Sequence, residues 1–138
     1  MMVVDPRSLE VLVGHEDLRE DAWLNFREHG FRQYVLYKNE ETGASIALLE
    51  YEQGGGVPTS HVHASNQFMY CLEGSYEYLE SGLRLTAGSF YMNPKDHPHG
   101  PTIAHERSVL IEIYDGRHYY ERPTYHSAET IAGFLVNE

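Results

Sequence analysis

Histidines at alternate positions are the residues of this chain best suited to metal chemistry. His61 and His63 are one residue apart, in the segment Gly-Gly-Val-Pro-Thr-Ser-His-Val-His that begins at Gly55. Because side chains alternate faces along an extended strand, the two imidazoles point the same way from backbones ~7 Å apart. Two imidazoles placed in this way can bind one transition-metal ion. A second pair, His97 and His99, follows in the segment Pro-Lys-Asp-His-Pro-His.

The residues around the histidines form a wider pattern of glycines, prolines and polar side chains. It reads Gly55-x5-His61-x-His63-x3-Gln67-x6-Gly74, followed by Gly88-x5-Pro94-x4-His99. Glycines at such positions are typical of turns between short strands. The pattern resembles the two sequence motifs of the cupin family. The resemblance implies an all-β fold, a cupin jelly-roll β-barrel, in which His61, His63 and His99 bind a metal and Gln67 is a possible fourth ligand.

The chain departs from the family pattern at three positions. Gln67 stands where the first motif usually has Glu, and Asp96 and Ile103 stand where the second motif has Gly and Asn. Three neutral imidazoles leave a divalent ion its full charge, whereas a carboxylate ligand would halve it. A centre of this kind favours anionic ligands such as an enolate, and its open coordination positions admit dioxygen.

A closer resemblance involves the residues that follow the first motif. The runs Phe68-x3-Leu72-Glu-Gly-Ser75-x-Glu77-Tyr-Leu-Glu80, Thr86-Ala-Gly-Ser89 and Asn93-Pro94-x4-His99 are similar to those of three-histidine cupin dioxygenases of the dihydroxyacetophenone and acetylacetone dioxygenase types. The resemblance implies a non-haem iron dioxygenase that cleaves a C–C bond in a small diketone or an aromatic hydroxy-ketone. It implies one divalent transition metal, Fe(II) first, with Zn, Ni, Mn and Cu as the other candidates.

Two other functions use the same ligands. One is a non-catalytic zinc-binding cupin that acts as a sensor or small-molecule binding module, like the cupin domain of some anti-sigma factors. The other is a metal-dependent isomerase or lyase that uses a carboxylate or a tyrosine as its base. The fold does not decide between them, because one site geometry can support many reactions.

The candidate catalytic residues are Gln67, Glu80, Glu112 and Tyr70. Gln67 could bind the metal, bond a metal-bound water or form part of the cavity wall. Glu80 and Glu112 are the carboxylates near enough in sequence to act as a ligand or base, although the default expectation is a solvent-facing turn for Glu80 and an outward strand position for Glu112. Tyr70 could position a substrate.

The remaining histidines are expected to lie outside the site. His97 falls within Asp96-His-Pro98 and is expected to be a loop residue or an outer partner of the site. We expect five others to be exposed: His15, His29, His105, His118 and His126.

Short β-branched and aromatic runs separated by turn residues predict the elements that position the histidines. Tyr34–Lys38 pairs with Ser45–Tyr51 as one hairpin, and Phe68–Leu72 pairs with Tyr76–Leu79 as another, across the turn Glu73-Gly-Ser. If position 67 faces inward, Met69 and Cys71 also line the cavity, while Phe68, Tyr70 and Leu72 form an apolar outer row. Further strands are predicted at Leu83–Leu85, Ser89–Met92 and Val109–Tyr114.

Both ends of the chain have a different character. Residues 1–30 are predicted to form an N-terminal arm, with a charged, helical stretch from His15 to Arg27. In the C-terminal tail, residues 121–138, Ser127 is predicted to cap a short helix that runs to Val136. The apolar stripe of Ile131, Phe134 and Leu135 would cover the barrel's own end or a second subunit.

Size and charge exclude several classes of protein. The 138 residues suit a single cupin domain, with a core at about 34–114. The formal charge of −11 disfavours nucleic acids and anionic membranes, and no apolar run is long enough to span a bilayer. Cys71 is the one cysteine, and no signal peptide is visible, which favours the cytoplasm. The expected partners are a small-molecule substrate and a second copy in a homodimer, although the N-terminal arm could instead cover the apolar outer row.

Overall fold

Antiparallel strands form one strongly bent sheet in the computed structural model, which describes residues 11–138. The strands are β1 (Leu24–Phe26), β2 (Phe31–Lys38), β3 (Ser45–Tyr51), β4 (Gln67–Tyr78), β5 (Leu83–Thr86), β6 (Phe90–Asn93) and β7 (Thr102–Tyr114). Three 3-10 turns, His15–Asp17, Glu20–Ala22 and Arg27–His29, and one short helix, α1 (Ala128–Ile131), complete the elements. The predicted all-β jelly roll is confirmed.

The two longest strands, β4 and β7, are neighbours in the centre of the sheet. The strand order is β1-β2-β3-β7-β4-β5, and β6 also pairs with β4. Gln67 lies opposite Tyr114, and Met69 lies opposite Glu112. Since side chains alternate along both strands, this register places Gln67 and Glu112 on the same, inner face.

The second predicted hairpin is wrong, because β4 continues through Glu73, Gly74 and Ser75 without reversing. Gly74 has φ of 101°, and a Cβ there would lie 2.5 Å from Cα of Ser108 in β7. The glycine therefore permits a bulge and a close approach of two strands instead of a turn. The bend lets the first half of β4 pair with β6 and the second half with β5.

Side chains of β4 alternate between the barrel interior and its surface as predicted. Gln67, Met69 and Cys71 are at most 3% exposed, whereas Tyr70 and Leu72 are 44% and 46% exposed. The core on the inner face is rich in aromatic residues, among them Phe26, Phe31, Tyr51, Tyr76, Tyr78, Tyr119 and Tyr125. Aromatic rings therefore form most of the barrel interior and surround a few polar side chains.

A loop segment before β4 runs antiparallel to the beginning of β7. The amide of Ala104 donates to the carbonyl of Gly55 at 2.7 Å, and the amide of Thr102 donates to Val57 at 3.0 Å. A Cβ on Gly56 would collide with the carbonyl oxygen of Thr102, so only glycine allows the two backbones to approach so closely. This contact aligns the segment that carries His61 and His63.

The helix predicted from His15 to Arg27 is wrong. That region contains two isolated 3-10 turns and β1, which pairs with β2. Its aromatic side chains pack onto the sheet: Phe26 stacks on Phe31 with ring centroids 4.3 Å apart, and Trp23 packs against Tyr34 at 5.1 Å. The sheet thus begins within the predicted arm, because burial of these rings outweighs local helix propensity.

The C-terminal helix begins as predicted and ends early. The Ser127 hydroxyl accepts a hydrogen bond from the amide of Thr130 at 3.1 Å, as expected of a helix cap. The helix ends at Ile131 rather than Val136, and Gly133 has φ of 87°. Ile131 and Phe134 are buried in the chain's own core, so the apolar stripe covers the barrel's own end. In the described part of the chain, no helix has the length and apolarity needed to cross a membrane.

Candidate metal centre

Three histidines meet inside the barrel. The ligand nitrogens of His61, His63 and His99 all lie within 4.8 Å of one another. Nε2 of His63 is 3.0 Å from Nε2 of His99, and the rings of His61 and His99 have centroids 4.6 Å apart. In the described residues this is the one group of three or more His, Cys, Asp or Glu side chains that could hold a metal ion.

Backbone pairing brings the two histidine segments together. The amide of His61 donates to the carbonyl of His99 at 2.9 Å, and the amide of His99 donates back to His61 at 3.0 Å. This isolated antiparallel bridge sets the two residues directly opposite each other. His63 and His99 are 1% and 8% exposed, and Val62 between the first pair faces outward at 39%.

Hydrogen bonds at the outer nitrogens orient the three rings. Nδ1 of His61 donates to the carbonyl of Thr59 at 3.0 Å, and Nδ1 of His99 lies 2.8 Å from the Tyr91 hydroxyl. Nδ1 of His63 lies 3.4 Å from the Tyr114 hydroxyl. A proton held at Nδ1 leaves the lone pair on Nε2, the form in which imidazole binds metals.

The environment keeps these imidazoles neutral. Burial lowers the pKa of His61, lowers that of His63 well below its ordinary value, and lowers that of His99 to about 3. The pKa of His63 is also lowered by its histidine neighbours, because each would repel a second positive charge. Neutral imidazoles accept a metal ion at neutral pH without first losing a proton.

Gln67 belongs to a buried polar network next to the histidines. Its Nε2 donates to Oε2 of Glu112 at 2.6 Å and to the Tyr114 hydroxyl at 3.1 Å. The Tyr114 hydroxyl in turn donates to Glu112 at 3.1 Å. Oε1 of Gln67 is buried and has no hydrogen-bond partner among residues 11–138. An unpaired buried acceptor is costly, so this oxygen is suited to a metal or to a ligand that donates a proton.

Glu112 does not take the outward position expected from the sequence. It is 7% exposed and lines the same cavity as the histidines. Burial raises the pKa of its carboxyl to about 7, although hydrogen bonds from Gln67, Tyr114 and Gln33 act in the opposite direction. The outer positions of this part of β7 are instead taken by Ile111 and Ile113, which lie next to it in sequence.

Two of the candidate catalytic residues are not brought to the histidines. Glu80 is exposed in the turn between β4 and β5, and Tyr70 is 44% exposed on the outer face of β4. Neither lines the cavity that contains the three histidines. The geometry therefore leaves Gln67 and Glu112 as the candidates of this group that can act at the site.

His97 lies in a loop, as expected. Its Nδ1 is 2.9 Å from Oδ1 of Asn93, and its carbonyl accepts a hydrogen bond from the Asn93 amide at 2.9 Å. The preceding residue, Asp96, has φ of 67°, in the left-handed region that glycine adopts readily and that Asp adopts more often than most residues. This conformation explains why the cupin motif usually has glycine where this chain has Asp96.

The C-terminal tail and the segment just before it supply cavity residues that the sequence did not single out. Tyr119, Tyr125 and His126 line the cavity, and the Tyr125 ring lies 5.4 Å from the His61 ring. The hydroxyls of Tyr119 and Tyr125 are hydrogen-bonded to each other. His126, at 6% exposed, and His118, at 3%, are buried, so their predicted exposure is wrong. The available signal was the clustering of aromatic residues and histidines from residue 118 to 126.

Tail contacts also explain why His118 is buried. Its ring stacks between Tyr114, at a centroid distance of 3.6 Å, and Phe134, at 4.4 Å. Its Nε2 lies 2.8 Å from the Ser45 hydroxyl. Burial lowers the pKa of His118 well below its ordinary value. His118 thus holds the tail onto the barrel as a neutral ring.

The cavity at the centre is small. Its volume is about 30 Å³, with walls that include the three histidines, Gln67 and Glu112. That volume is comparable to the share of one molecule in liquid water. The cavity in this conformation has room for an ion or a water molecule, and a larger ligand needs the surrounding side chains or the tail to move.

The donor set suits a divalent metal. The Nε2 atoms of His63 and His99 are 3.0 Å apart, and a nitrogen of His61 lies within 4.8 Å of both. Lone pairs that converge in this way repel one another unless a proton or a cation lies between them. Three histidines with an open position are typical of catalytic metal sites. Zinc, iron, nickel, manganese and copper all accept imidazole ligands of this kind.

Solved structures share the fold of this chain. An acetylacetone dioxygenase from Acinetobacter johnsonii is 18% identical, with a TM-score of 0.65, over 86% of this chain and 85% of that one. KdgF from a Halomonas species is 21% identical, with a TM-score of 0.59, over 69% and 86%. A chain in the Rhodobacter sphaeroides complex of SigE with the anti-sigma ChrR is 24% identical, with a TM-score of 0.58, over 74% of this chain and 52% of that one.

A family model gives the more specific assignment. No curated protein sequence matches the chain. The model of the ChrR cupin-like domain matches residues 14–118, which include every strand and all three histidines of the centre. The cupin resemblance of the two motifs is thereby confirmed, and the chain belongs to the ChrR cupin-like domain family of cupins.

Proposed function

We propose that the protein is a metal-dependent dioxygenase that cleaves a C–C bond in a small diketone or aromatic hydroxy-ketone, with Fe(II) as its metal. The observation that carries the proposal is the donor set of three converging neutral imidazoles. The carboxyl group of Glu112 is not part of this set and instead accepts a hydrogen bond from Gln67. Further support comes from the likeness to the acetylacetone dioxygenase, which extends over most of both chains.

Three neutral metal ligands suit an anionic substrate. A 1,3-diketone binds a metal best as its enolate, an anion with two oxygens. A centre with three neutral ligands keeps more positive charge for such an anion than one with a carboxylate ligand. Bound Fe(II) would supply a Lewis acid for the enolate and electrons for dioxygen. Cleavage of the diketone by one dioxygen yields a carboxylic acid and a 1,2-dicarbonyl compound, so both oxygen atoms are used and no external reductant is needed.

The chain's own residues would bind, orient and enclose the substrate. Met69 and Val57 line the cavity with apolar surface and exclude water from it. The hydroxyls of Tyr119 and Tyr125 bond each other within the same cavity, so one of the two keeps its proton for a ligand. Because the cavity measures about 30 Å³, a diketone can enter only if the surrounding side chains or the tail move.

Oxygen consumption tests the proposal. Protein loaded anaerobically with Fe(II) is mixed with pentane-2,4-dione or a hydroxyacetophenone, and oxygen uptake and products are measured together. We expect one dioxygen consumed per substrate cleaved. The matched control is His97→Ala, which removes a loop histidine and should keep activity, whereas His99→Ala should abolish it. Full metal loading without uptake on any substrate of either class would contradict the dioxygenase.

A second function is favoured by the small volume of the cavity and by the family. A zinc-holding module that senses a small molecule needs no room for a large substrate, and the family is named for a cupin-like domain of ChrR. The anti-sigma ChrR is one of the similar structures, although the match covers half of that chain. Zinc in the protein as isolated, with no oxygen uptake after iron loading, would favour this function.

The homodimer expected from the sequence stays a proposal, supported by an exposed apolar row. Tyr70, Leu72 and Phe90 are 44%, 46% and 66% exposed on the outer face of β4 and β6. The N-terminal segment from Val11 to Val13 lies elsewhere, in a groove with Leu36, Tyr37 and Ile46 of β2 and β3. Within the described residues, the N-terminal arm therefore does not cover this row.

A further inference from the structure

A surface pocket lies between the end of β1 and the C-terminal tail, next to the metal cavity. Arg27 lines it from the turn after β1, and Arg122 lines it from the tail. Its volume is about 440 Å³, which is the size of an ordinary small-molecule site. The metal cavity, at about 30 Å³, is far smaller. We call the larger space the tail pocket.

The tail pocket and the metal cavity share a wall that is one side chain thick. Phe26, Tyr125 and His126 line both spaces, and each is at most 8% exposed. On the inner side of this wall, the Tyr125 ring lies 5.4 Å from the ring of His61. A ligand that displaced Tyr125 would therefore pass directly from the tail pocket to the histidines of the centre.

The tail contributes a weakly fixed part of the wall. Residues 120–126 belong to no strand or helix. Within the described chain, their one backbone hydrogen bond joins the His126 amide to the Pro123 carbonyl at 3.1 Å. The other part of the wall comes from β1, a three-residue strand at the edge of the sheet. Such segments open at a lower free energy than central strands do, so we expect the metal cavity to open on this side.

The tail pocket is positively charged in an acidic protein. Its described lining residues include two arginines, Arg27 and Arg122, and one carboxylate, Glu28, although the whole chain has a formal charge of −11. Neither arginine forms an ion pair within residues 11–138. Arg122 donates to the carbonyl of His126, a neutral acceptor that leaves its charge in place. Guanidinium groups without an ionic partner are well suited to bind a carboxylate.

We propose that the tail pocket is the entrance to the metal centre and that it binds a carboxylate group of the substrate. The substrate is then a dicarbonyl compound that also carries a carboxylate, such as a 2,4-dioxo acid. Arg27 and Arg122 attract and hold the carboxylate, and displacement of Tyr125 admits the two carbonyl oxygens to the centre. The inference rests on the proposed function and names the substrate class of that site.

The charges favour this class over a simple diketone. A diketone such as pentane-2,4-dione has no group that would use two arginines without ionic partners. A 2,4-dioxo acid has the same enolisable pair of carbonyls and a permanent negative charge beside it. A local positive potential raises the rate at which such an anion reaches the opening, even on a protein with a negative net charge.

Ligand binding to the Co(II) protein tests the inference without turnover. Stopped-flow absorbance under argon gives the association rates of 2,4-dioxopentanoate and pentane-2,4-dione. Wild type should bind the dioxo acid about tenfold faster, and this advantage should shrink as salt screens the arginines. Arg27→Gln and Arg122→Gln should each slow the dioxo acid about threefold and leave pentane-2,4-dione unchanged. A glutamine at position 122 can still donate to the His126 carbonyl, so the tail keeps that contact.

Two further variants separate the charge effect from the wall. Arg84→Gln is the matched control, because it removes the same charge from β5, at the opposite edge of the sheet from β1, and should bind both ligands like wild type. Tyr125→Ala removes part of the wall and should speed the binding of both ligands. Urea unfolding checks that each variant folds, and Tyr125→Leu replaces Tyr125→Ala if the smaller side chain prevents folding.

Each alternative result overturns a defined part of the inference. Equal rates for the two ligands in wild type, or equal slowing by Arg84→Gln and by the two pocket variants, would overturn the carboxylate site. Unchanged or slower binding in the Tyr125 variant would overturn the entrance. Absence of binding of either ligand to the Co(II)-loaded protein would overturn the entrance together with the proposed function. Arginine-dependent binding with no oxygen uptake by the iron-loaded protein would overturn only the dioxygenase.

Discussion

The Nε2 atoms of His63 and His99 lie 3.0 Å apart inside the barrel, although the two residues belong to different sequence motifs. The bridge between His61 and His99 joins the two segments, and Tyr91 and Tyr114 contact the outer nitrogens of the rings. Backbone pairing and contacts with the tyrosine hydroxyls thus bring the lone pairs of the three imidazoles to one point. Such a preorganised arrangement favours metal binding, because the ligands need not rearrange.

Substitution of His99 should abolish metal binding, whereas substitution of His97 should leave it unchanged. His99→Ala removes a ligand and should reduce bound metal from one per chain to a trace. His97→Ala alters a loop side chain bonded to Asn93 and should keep full occupancy. Elemental analysis of both purified variants makes the comparison. Equal metal contents in the two variants would refute the assignment of His99.

Charge at position 67 should control the binding of anions. Gln67→Glu places a second carboxylate within hydrogen-bond distance of Glu112, where Gln67 Nε2 now donates at 2.6 Å. The variant should keep its metal and bind azide or a diketone enolate about tenfold more weakly, because the new charge offsets that of the ion. Titration of the Co(II) protein by absorbance measures this. Equal or tighter anion binding in Gln67→Glu would contradict the electrostatic argument.

Acid should destabilise the protein through its buried histidines. Burial lowers the pKa of His126 from 6.5 to about 3. Between these values the unfolded chain binds a proton that the folded chain does not, so stability is full above pH 6.5 and falls as the pH drops toward 3. This histidine contributes a slope of about 1.4 kcal/mol per pH unit at most.

His126→Asn removes that contribution while an amide can still bond Thr130. Urea unfolding of metal-free protein at pH 7, 6 and 5 should show a shallower loss of stability for the variant than for wild type. Parallel curves would mean that His126 titrates normally in the folded protein.

The bulge in β4 should depend on the absence of a side chain at Gly74. Its φ of 101° and the 2.5 Å that would separate an added Cβ from Ser108 Cα predict a loss of about 2–4 kcal/mol in unfolding free energy for Gly74→Ala. Gly54 also has positive φ, at 85°, but has open space around it, so Gly54→Ala should cost about 1 kcal/mol. Chemical denaturation compares the two. Similar losses would show that the strand contact at Gly74 adjusts easily.

The apolar row on the outer face of β4 and β6 should hold the homodimer together. Phe90 is 66% exposed in the single chain, and Phe90→Glu should shift the protein to monomer because a charge would be buried between the subunits. Leu12→Glu, at a residue 78% exposed on the N-terminal segment, is the control and should stay dimeric. Light scattering after size exclusion gives the mass. A monomeric wild type at tens of micromolar would contradict the dimer.

The sequence predicted the histidine cluster because its geometry depends on local rules. Alternation along an extended segment predicts His61 and His63 on one side, and the motif resemblance adds His99; in the structure His61 has only an isolated bridge to His99. The strands on either side of these residues follow from β-branched and aromatic runs. The pairing of β2 with β3 could likewise be predicted from the turn between them.

The wrong expectations concern features set by distant parts of the chain. Glu112 was expected to take an outward strand position, yet the register with β4 places it inward, opposite Met69. Gly74 looked like a hairpin turn because its close contact with Ser108 is visible only in the folded protein. His118 is buried by stacking against Phe134 of the tail, and His126 by packing of its ring against Phe26 of β1, contacts that no local pattern encodes.

The metal content of the protein as isolated tests the central claim most directly. Protein purified anaerobically without chelators is analysed for all transition metals, beside His61→Ala prepared in the same way. One divalent ion per chain in wild type, lost in the variant, is the expected result, and iron in that position would agree with the proposed dioxygenase. A wild type with no more metal than His61→Ala, even after reconstitution with Fe(II) and Zn(II), would contradict the three-histidine centre.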